Sequence, residues 1–156
     1  MQLKKEDKLL AIKYKKLDPK AITPTYANVG DAGADLYSID YGVLEPKERR
    51  LLGTGIALEI PPGYVGFIHP RSGLASKLGV TVMNAPGTID SSYRGEIRVN
   101  LVNHNIMPYS FCIGDRIAQI VFQKFEEATF EEIEELEDSI RGANGHGSTG
   151  GFDGRI

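Results

Sequence analysis

The sequence predicts an all-β fold of the sandwich, jelly-roll or barrel type. Its 18 glycines and eight prolines are spread along 156 residues and divide the chain into short segments. About ten of these segments have the length and the apolar content of a strand. A single short stretch carries a convincing helix signal. Many short strands separated by glycine and proline turns are typical of packed antiparallel sheets or of a barrel.

The first strands are predicted from alternation and from runs of apolar residues. Leu10, Ile12 and Tyr14 alternate in an opening strand, and a turn-rich stretch follows at residues 19–33. Each later segment has the length that is usual for a strand. These segments are residues 34–39, 43–52, 56–60 and 65–68.

One helix of one or two turns is predicted directly after these strands. Ser72 precedes GLASKLG and suits the N-cap position, where a side-chain oxygen accepts a backbone N–H. The strand pattern then resumes, so the helix interrupts an otherwise β-rich chain. The later strands are predicted at residues 81–83, 97–102, 110–113 and 117–125.

Residues 87–100, GTIDSSYRGEIRVN, predict a hairpin with a carboxylate near its tip. The first half carries turn residues, and the second half alternates apolar Ile97 and Val99 with polar neighbours. Asp90 and Tyr93 would then line one small pocket, and Asp90 is the best general base by residue type. The alternative is an ordinary turn in which Asp90 caps backbone N–H groups.

Composition predicts one soluble globular domain. The 41% of hydrophobic and 25% of charged residues argue against disorder, and no apolar run is long enough to cross a bilayer. The N-terminus MQLKKEDKLL is too charged for a signal peptide, so we expect a cytoplasmic protein without membrane contact. Cys112 is predicted to be a small buried residue, and no Cys or His cluster has zinc-site spacing. The N-terminal lysines have a single interleaved aromatic residue, Tyr14, and belong to an acidic protein, which argues against a nucleic-acid partner.

The chain changes character towards its C-terminus. Residues 126–139 are rich in Glu with apolar residues three apart, which local propensity favours as an amphipathic helix. Residues 141–154 are rich in glycine and almost free of apolar side chains, so we expect a tail that is mobile without ligand. The predicted organisation is therefore a single domain, with a folded core at residues 1–140 and a flexible tail at residues 141–156.

Two segments have the composition of a phosphate-binding loop. RGANGHGSTGG at residues 141–151 combines an arginine, two hydroxyl side chains and many backbone N–H groups freed by glycine. It lacks the Walker pattern, and the alternative is a flexible tail. Arg71, Ser72 and Gly73 bring an arginine and a hydroxyl to a helix N-terminus, which attracts anions, although simple helix capping explains them equally well.

Two polar residues stand within otherwise apolar strands. Gln119 is predicted to share a face with Ile117 and Val121, and a buried amide needs hydrogen-bond partners. Asp35, within GADLYS, raises the same question, with a role in a turn as its alternative. Both residues are therefore candidates for a polar site.

Five segments of the sequence match an ordered set of motifs. They are DAGADLYS at residues 31–38, PRSGLASKLGV at 70–80, GTIDSSYRGE at 87–96, GDRIAQIVF at 114–122 and RGANGHGSTGG at 141–151. Together they resemble the motifs of the trimeric dUTP nucleotidohydrolases, the dUTPases, in order and spacing. The resemblance covers nearly the whole chain and implies a distorted jelly roll, also called a β-clip, with a flexible C-terminal arm.

The resemblance implies hydrolysis of dUTP to dUMP and pyrophosphate with Mg²⁺ as cofactor. This reaction supplies the precursor of dTMP and keeps uracil out of DNA. The enzyme would be a homotrimer whose three active sites lie between subunits, each built from pieces of all three chains. Asp90 matches the carboxylate that activates the attacking water, and Tyr93 matches the aromatic residue that packs on the deoxyribose.

The same resemblance implies the substrate contacts. Uracil would be recognised by Gly87, Thr88, Ile89, Arg98 and, through a water, Asn84. The triphosphate would be bound by Arg71, Ser72, Gly73 and Gln119, and the closing tail would contribute Arg141, Gly147, Ser148 and Thr149. We expect Mg²⁺ to be held chiefly by the triphosphate without a direct protein ligand, and Asp35 to lie near its waters.

One position departs from the family pattern. His146 stands where many members carry a Phe that stacks on uracil, so we expect an imidazole to cap the base and tail closure to depend mildly on pH. In related chains residues 126–139 run mainly as an extended arm with a short strand that reaches a neighbouring subunit. The resemblance therefore favours an arm and a strand there over the helix that propensity suggests.

Two other functions remain as alternatives. A dCTP deaminase shares the fold and the recognition of a triphosphate, but it performs hydrolysis at the base. A non-catalytic nucleotide sensor would use dUTP binding to control the tail. The tyrosine-bearing third motif and the glycine-rich fifth motif favour a dUTPase over both.

Overall fold

The fold is taken from a computed structural model, which describes residues 9–144. Within that part the chain is mostly β with one short helix, so the predicted class is confirmed. The strands are β1 (Lys13–Lys16), β2 (Gly33–Tyr37), β3 (Gly42–Leu44), β4 (Arg49–Glu59), β5 (Tyr64–His69), β6 (Val80–Val82), β7 (Gly87–Ile89), β8 (Glu96–Asn103), β9 (Tyr109–Phe111) and β10 (Arg116–Lys124). The helix is α1 (Ser72–Leu78).

Two four-stranded sheets and one strand pair make up the architecture. The first sheet has the order β1-β4-β8-β6, the second has the order β2-β10-β5-β7, and β3 pairs with β9. Every pairing between these strands is antiparallel. The connections therefore pass repeatedly from one sheet to the other, as in a jelly roll.

The core lies between the two large sheets. Leu36 and Ile120 of the second sheet belong to the same buried cluster as Leu52 and Leu101 of the first. Each of these side chains is at most 1% exposed, and complete burial of such a side chain is worth about 1.5–3 kcal/mol. This apolar layer fixes which face of the second sheet remains free for ligands.

The predicted strand at residues 43–52 is divided in the structure. Its first part forms β3, and its second part begins β4, which continues through the predicted strand at residues 56–60. A turn separates β3 from β4, with the N–H of Glu48 donating to the carbonyl of Glu45 at 3.0 Å and Lys47 at φ +66°. Pro46 lies within this turn and has no N–H for a strand ladder.

The predicted hairpin at residues 87–100 is wrong in its pairing. β7 pairs with β5 in the second sheet, whereas β8 pairs with β4 and β6 in the first. The turn at Asp90 therefore carries the chain from one sheet to the other and does not join two paired strands. An alternating strand pattern predicts the strand but does not determine its partner.

The helix cap and the cysteine also differ from expectation. The N-cap of α1 is Arg71, with no side-chain cap hydrogen bond, and Ser72 is the first helical residue. The prediction that the Ser72 hydroxyl caps the helix is therefore wrong. Cys112 is exposed, because it lies in a turn where its N–H donates to the Asp115 carboxylate at 2.7 Å.

Residues 127–144 lie in a second unit of the chain and contain neither helix nor strand. Both structures considered for residues 126–139, the helix and the short strand, are therefore absent from this structure. Glu127, Glu131 and Glu135 are four residues apart, so their repulsion opposes a helix. No helix in the described part of the chain is long and apolar enough to cross a membrane.

Candidate active site

A cavity of about 790 Å³ opens on the face of the second sheet that points away from the core. Residues of three motifs line it: Asp35, Arg71, Ser72, Gly73 and Gln119. Asp35 comes from β2 and Gln119 from β10, whereas the other three lie at the N-cap and in the first turn of α1. The fold thus brings together residues that are up to 84 positions apart in the sequence, 119 minus 35. We call this cavity the phosphate pocket, after the ligand that the resemblance implies for these residues.

A buried carboxylate between two arginines forms one wall of the phosphate pocket. Asp35 is 8% exposed, and its Oδ1 accepts a hydrogen bond from Arg71 Nε at 2.9 Å. Its Oδ2 lies 3.4 Å from Arg116 Nη1. The two guanidinium groups offset the Asp35 charge, and the Asp31 carboxylate also lines the pocket. Arg71 is the lining residue whose guanidinium is able to pair with an anionic ligand.

Arg71 also affects a phenol near the site. Burial raises the pKa of Tyr109, the Asp115 carboxylate adds to the rise, and the Arg71 guanidinium opposes it. The phenol therefore stays neutral at physiological pH and adds no negative charge near Arg71.

Gln119 is held close to the backbone of β2. Its Nε2 donates to the Pro70 carbonyl at 2.9 Å, and a Cβ atom at Gly33 would overlap its Oε1. Gly33 is therefore required for this position of the amide. Gln119 shares the pocket face with Val121, as predicted, but Ile117 is fully buried because the β10–β2 register shifts between Arg116 and Ala118.

A second, smaller cavity of about 60 Å³ lies between β7 and β8. It is lined by the five residues assigned to uracil recognition, Asn84, Gly87, Thr88, Ile89 and Arg98. Arg98 is held across the sheet, since its Nη2 donates to the Leu51 carbonyl at 3.2 Å and its Nε lies 4.0 Å from Glu96. We call this cavity the base pocket.

Asp90 and Tyr93 lie in the turn that follows β7, and this turn begins directly after Ile89, which lines the base pocket. The N–H of Tyr93 donates to the Asp90 carbonyl at 3.1 Å, and the Tyr93 hydroxyl donates to the Glu96 carbonyl at 3.0 Å. These bonds fix the turn and leave the Asp90 carboxylate exposed. Tyr93 is 44% exposed, so both side chains are available to a ligand.

Asp90 and Arg71 lie at opposite ends of β5. Ile89 pairs with Gly66, which places Asp90 beside Val65 near the start of that strand. Arg71 follows its last residue, His69, by two positions. Six residues of extended chain span about 20 Å, at about 3.3 Å per residue. By this estimate, the two residues of one chain are farther apart along the strand than the length of a triphosphate.

Some predicted residues lie elsewhere. Arg141 belongs to the second unit, where its Nε donates to the Asn144 carbonyl at 2.9 Å. His146, Gly147, Ser148 and Thr149 lie outside the described residues. Sequence reasoning missed Gly33, His69 and Arg116, although all three lie within or next to the matched motifs and their charge or small size was visible there.

Together these features define a class of protein: a β-rich fold with one large polar pocket that contains an arginine and a separate small pocket beside β7. The family model described as dUTPase matches residues 19–150. The chain belongs to the dUTPase family.

Named relatives agree with this membership. A deoxyuridine 5'-triphosphate nucleotidohydrolase of Thermobifida fusca is 55% identical over 141 residues, which cover 90% of this chain and 79% of the relative. The enzyme of the same name from Nautilia profundicola is 50% identical over 141 residues, covering 90% of this chain and 99% of the relative.

Solved structures share the fold. A mutant dUTPase of Staphylococcus bacteriophage 80alpha with dUpNHpp has a TM-score of 0.84 at 30% identity, covering 90% of this chain and 98% of that chain. A mutant dUTPase from phage phi11 of S. aureus, studied for the coordination of a structural Mg(II) ion, has a TM-score of 0.77 at 28% identity, covering 82% and 99%.

Proposed function

We propose that the protein hydrolyses dUTP to dUMP and pyrophosphate. The observation that carries this proposal is the pair of pockets, one suited to phosphates through Arg71 and Gln119 and one suited to a base through the backbone of β7. Membership of the dUTPase family supports the choice of dUTP as substrate. In the cell, this reaction would supply the dTMP precursor and keep uracil out of DNA.

In the proposed mechanism, Asp90 is the general base. Its exposed carboxylate accepts a proton from a water, whose oxygen attacks the α-phosphorus. The bond between the α-phosphorus and the bridging oxygen breaks, and pyrophosphate leaves with the electron pair. Tyr93 would pack on the deoxyribose, which leaves no room for a 2′-hydroxyl. Arg71 and Gln119 would orient the triphosphate and offset its charge.

Mg²⁺ fits this site as an ion that the substrate carries. Both Asp35 oxygens already face guanidinium groups, and no cluster of three His, Cys, Asp or Glu side chains within residues 9–144 is placed to hold a metal. Asp35 would therefore contact the waters of the ion and not the ion itself, which suits the preference of Mg²⁺ for retained waters. Bound to the triphosphate, Mg²⁺ neutralises part of its negative charge.

We propose further that each active site is shared between subunits of a homotrimer. The separation of Asp90 from Arg71 supports this, because a complete site then needs Asp90 from one copy and Arg71 from another. Arg141 and the residues that follow it, including His146, would close over the nucleotide from a third copy. In that role the segment would exclude water from the reaction.

A dCTP deaminase is the second candidate because it would also need a phosphate pocket. Incubation of the protein with Mg²⁺ and either dUTP or dCTP separates the two functions. We expect pyrophosphate release from dUTP, no ammonia release from dCTP, and little hydrolysis of UTP because of Tyr93. Ammonia release from dCTP, or no pyrophosphate from dUTP, would contradict the proposed function. Binding of dUTP without hydrolysis would instead indicate a nucleotide sensor.

A further inference from the structure

His69 is a pocket residue to which neither the matched motifs nor the proposed mechanism gives a role. It is the last residue of β5 and directly precedes Pro70, where the second motif begins. It lines the phosphate pocket together with Arg71 and Gln119. An imidazole is able to donate a hydrogen bond in any protonation state that it adopts in water near neutral pH.

The strand register places His69 in a row of polar residues. Gln119 of β10 pairs with Asp35 of β2 on one side and with His69 of β5 on the other. Paired residues of antiparallel strands project to the same face of a sheet. Asp35, Gln119 and His69 therefore form one row across three strands, on the face opposite the buried Ile68 and Ile120.

Of the three residues in this row, only His69 has a side chain without a polar partner among residues 9–144. The Asp35 carboxylate faces Arg71 and Arg116, and the Gln119 amide donates to the Pro70 carbonyl. Neither ring nitrogen of His69 makes a hydrogen bond to the described residues. The ring is nevertheless oriented, because it meets the edge of Phe67 at 6.3 Å between centroids and 69° between planes.

We propose that His69 binds one of the two outer phosphates of the substrate by donating a ring N–H to a phosphate oxygen. The inference rests on the proposed function, in which the α-phosphate lies at the Asp90 turn and the outer phosphates enter the phosphate pocket. The Arg71 guanidinium lies in the same pocket and, together with Arg116, offsets Asp35, while the Asp31 carboxylate accepts the Asn28 N–H at 2.8 Å.

Calorimetric titration with the non-hydrolysable analogue α,β-imido-dUTP tests the inference. His69→Phe keeps an aromatic ring against Phe67 but removes the donor, and we expect it to bind the analogue about tenfold more weakly, the usual effect of one lost hydrogen bond to a charged group. We expect its affinity for dUMP, which lacks the outer phosphates, to be unchanged. His69→Asn, which restores a donor, should recover most of the affinity for the analogue.

The matched control is His104→Phe, because His104 is an exposed histidine outside both pockets. It should bind both ligands as the unaltered protein does. Unchanged analogue affinity in His69→Phe, or an equal loss for dUMP, would overturn the role of His69. Hydrolysis of dUTP by the unaltered protein is measured in parallel. Absent turnover would contradict the proposed function, whereas the comparison of analogue affinities tests the role of His69.

Discussion

Asp90→Asn should lower kcat for dUTP by about three orders of magnitude, within the range that general-base catalysis contributes. The amide has nearly the same shape as the carboxylate but does not accept the proton of the attacking water. The Asp90 side chain makes no hydrogen bond to the described residues, and the bond that holds the turn uses its backbone carbonyl. The fold and the binding of the nucleotide should therefore be retained.

Steady-state kinetics and titration with α,β-imido-dUTP measure these two effects separately. Asp18→Asn is the matched control, because Asp18 is also a turn aspartate, whose carboxylate accepts the Lys20 N–H at 2.8 Å, but it lies outside both pockets. The control should keep turnover near that of the unaltered protein. Near-normal turnover by Asp90→Asn would exclude Asp90 as the general base.

Arg71→Ala should lower kcat/KM for dUTP by about one to two orders of magnitude. The substitution removes a charge-assisted phosphate contact, and such contacts are worth about 1.5–3 kcal/mol each. It also leaves the buried Asp35 with Arg116 alone, at 3.4 Å, which reduces the positive charge of the pocket. The same loss should lower the free energy of unfolding by about 1–2 kcal/mol, since the ion pair is partly exposed.

The double variant Asp35→Asn/Arg71→Ala separates the two effects of losing Arg71. In the double variant, residue 35 carries no charge, so the loss of Arg71 no longer leaves a buried carboxylate with fewer partners. We therefore expect the free energy of unfolding to recover in large part. The loss of kcat/KM should persist, because the phosphate contact is still missing. Chemical denaturation and steady-state kinetics measure the two quantities. Recovery of kcat/KM together with stability would contradict a direct phosphate contact by Arg71.

The sequence was most informative about which residues meet in one pocket. The motif residues Asp35, Arg71 and Gln119 do meet in one pocket, although they come from three separate strands or strand ends. Their spacing along the chain is a property that a sequence displays directly. The pairing of β7 cannot be read from the sequence in this way, because alternation determines which face of a strand is buried but not which strand it pairs with.

Other details depend on three-dimensional contacts that no local pattern shows. Ile117 leaves the face of Gln119 through a shift in register, which is set by the pairing of β10 with β2. Gly33 matters because a side chain there would meet Gln119, a residue 86 positions away, 119 minus 33. The row that includes His69 likewise exists only once three strands are aligned.

Mixed oligomers provide the most direct measurement of the shared active site. Arg71→Ala and Asp90→Asn are each expected to have low activity, and equal amounts are combined under conditions that allow subunits to exchange. If each site takes Arg71 from one copy and Asp90 from another, both residues are intact in about one quarter of the sites, one half times one half. Activity should rise to about a quarter of that of the unaltered protein. If the activity of the mixture equals the summed activities of the two variants measured separately, one chain supplies both residues to each site.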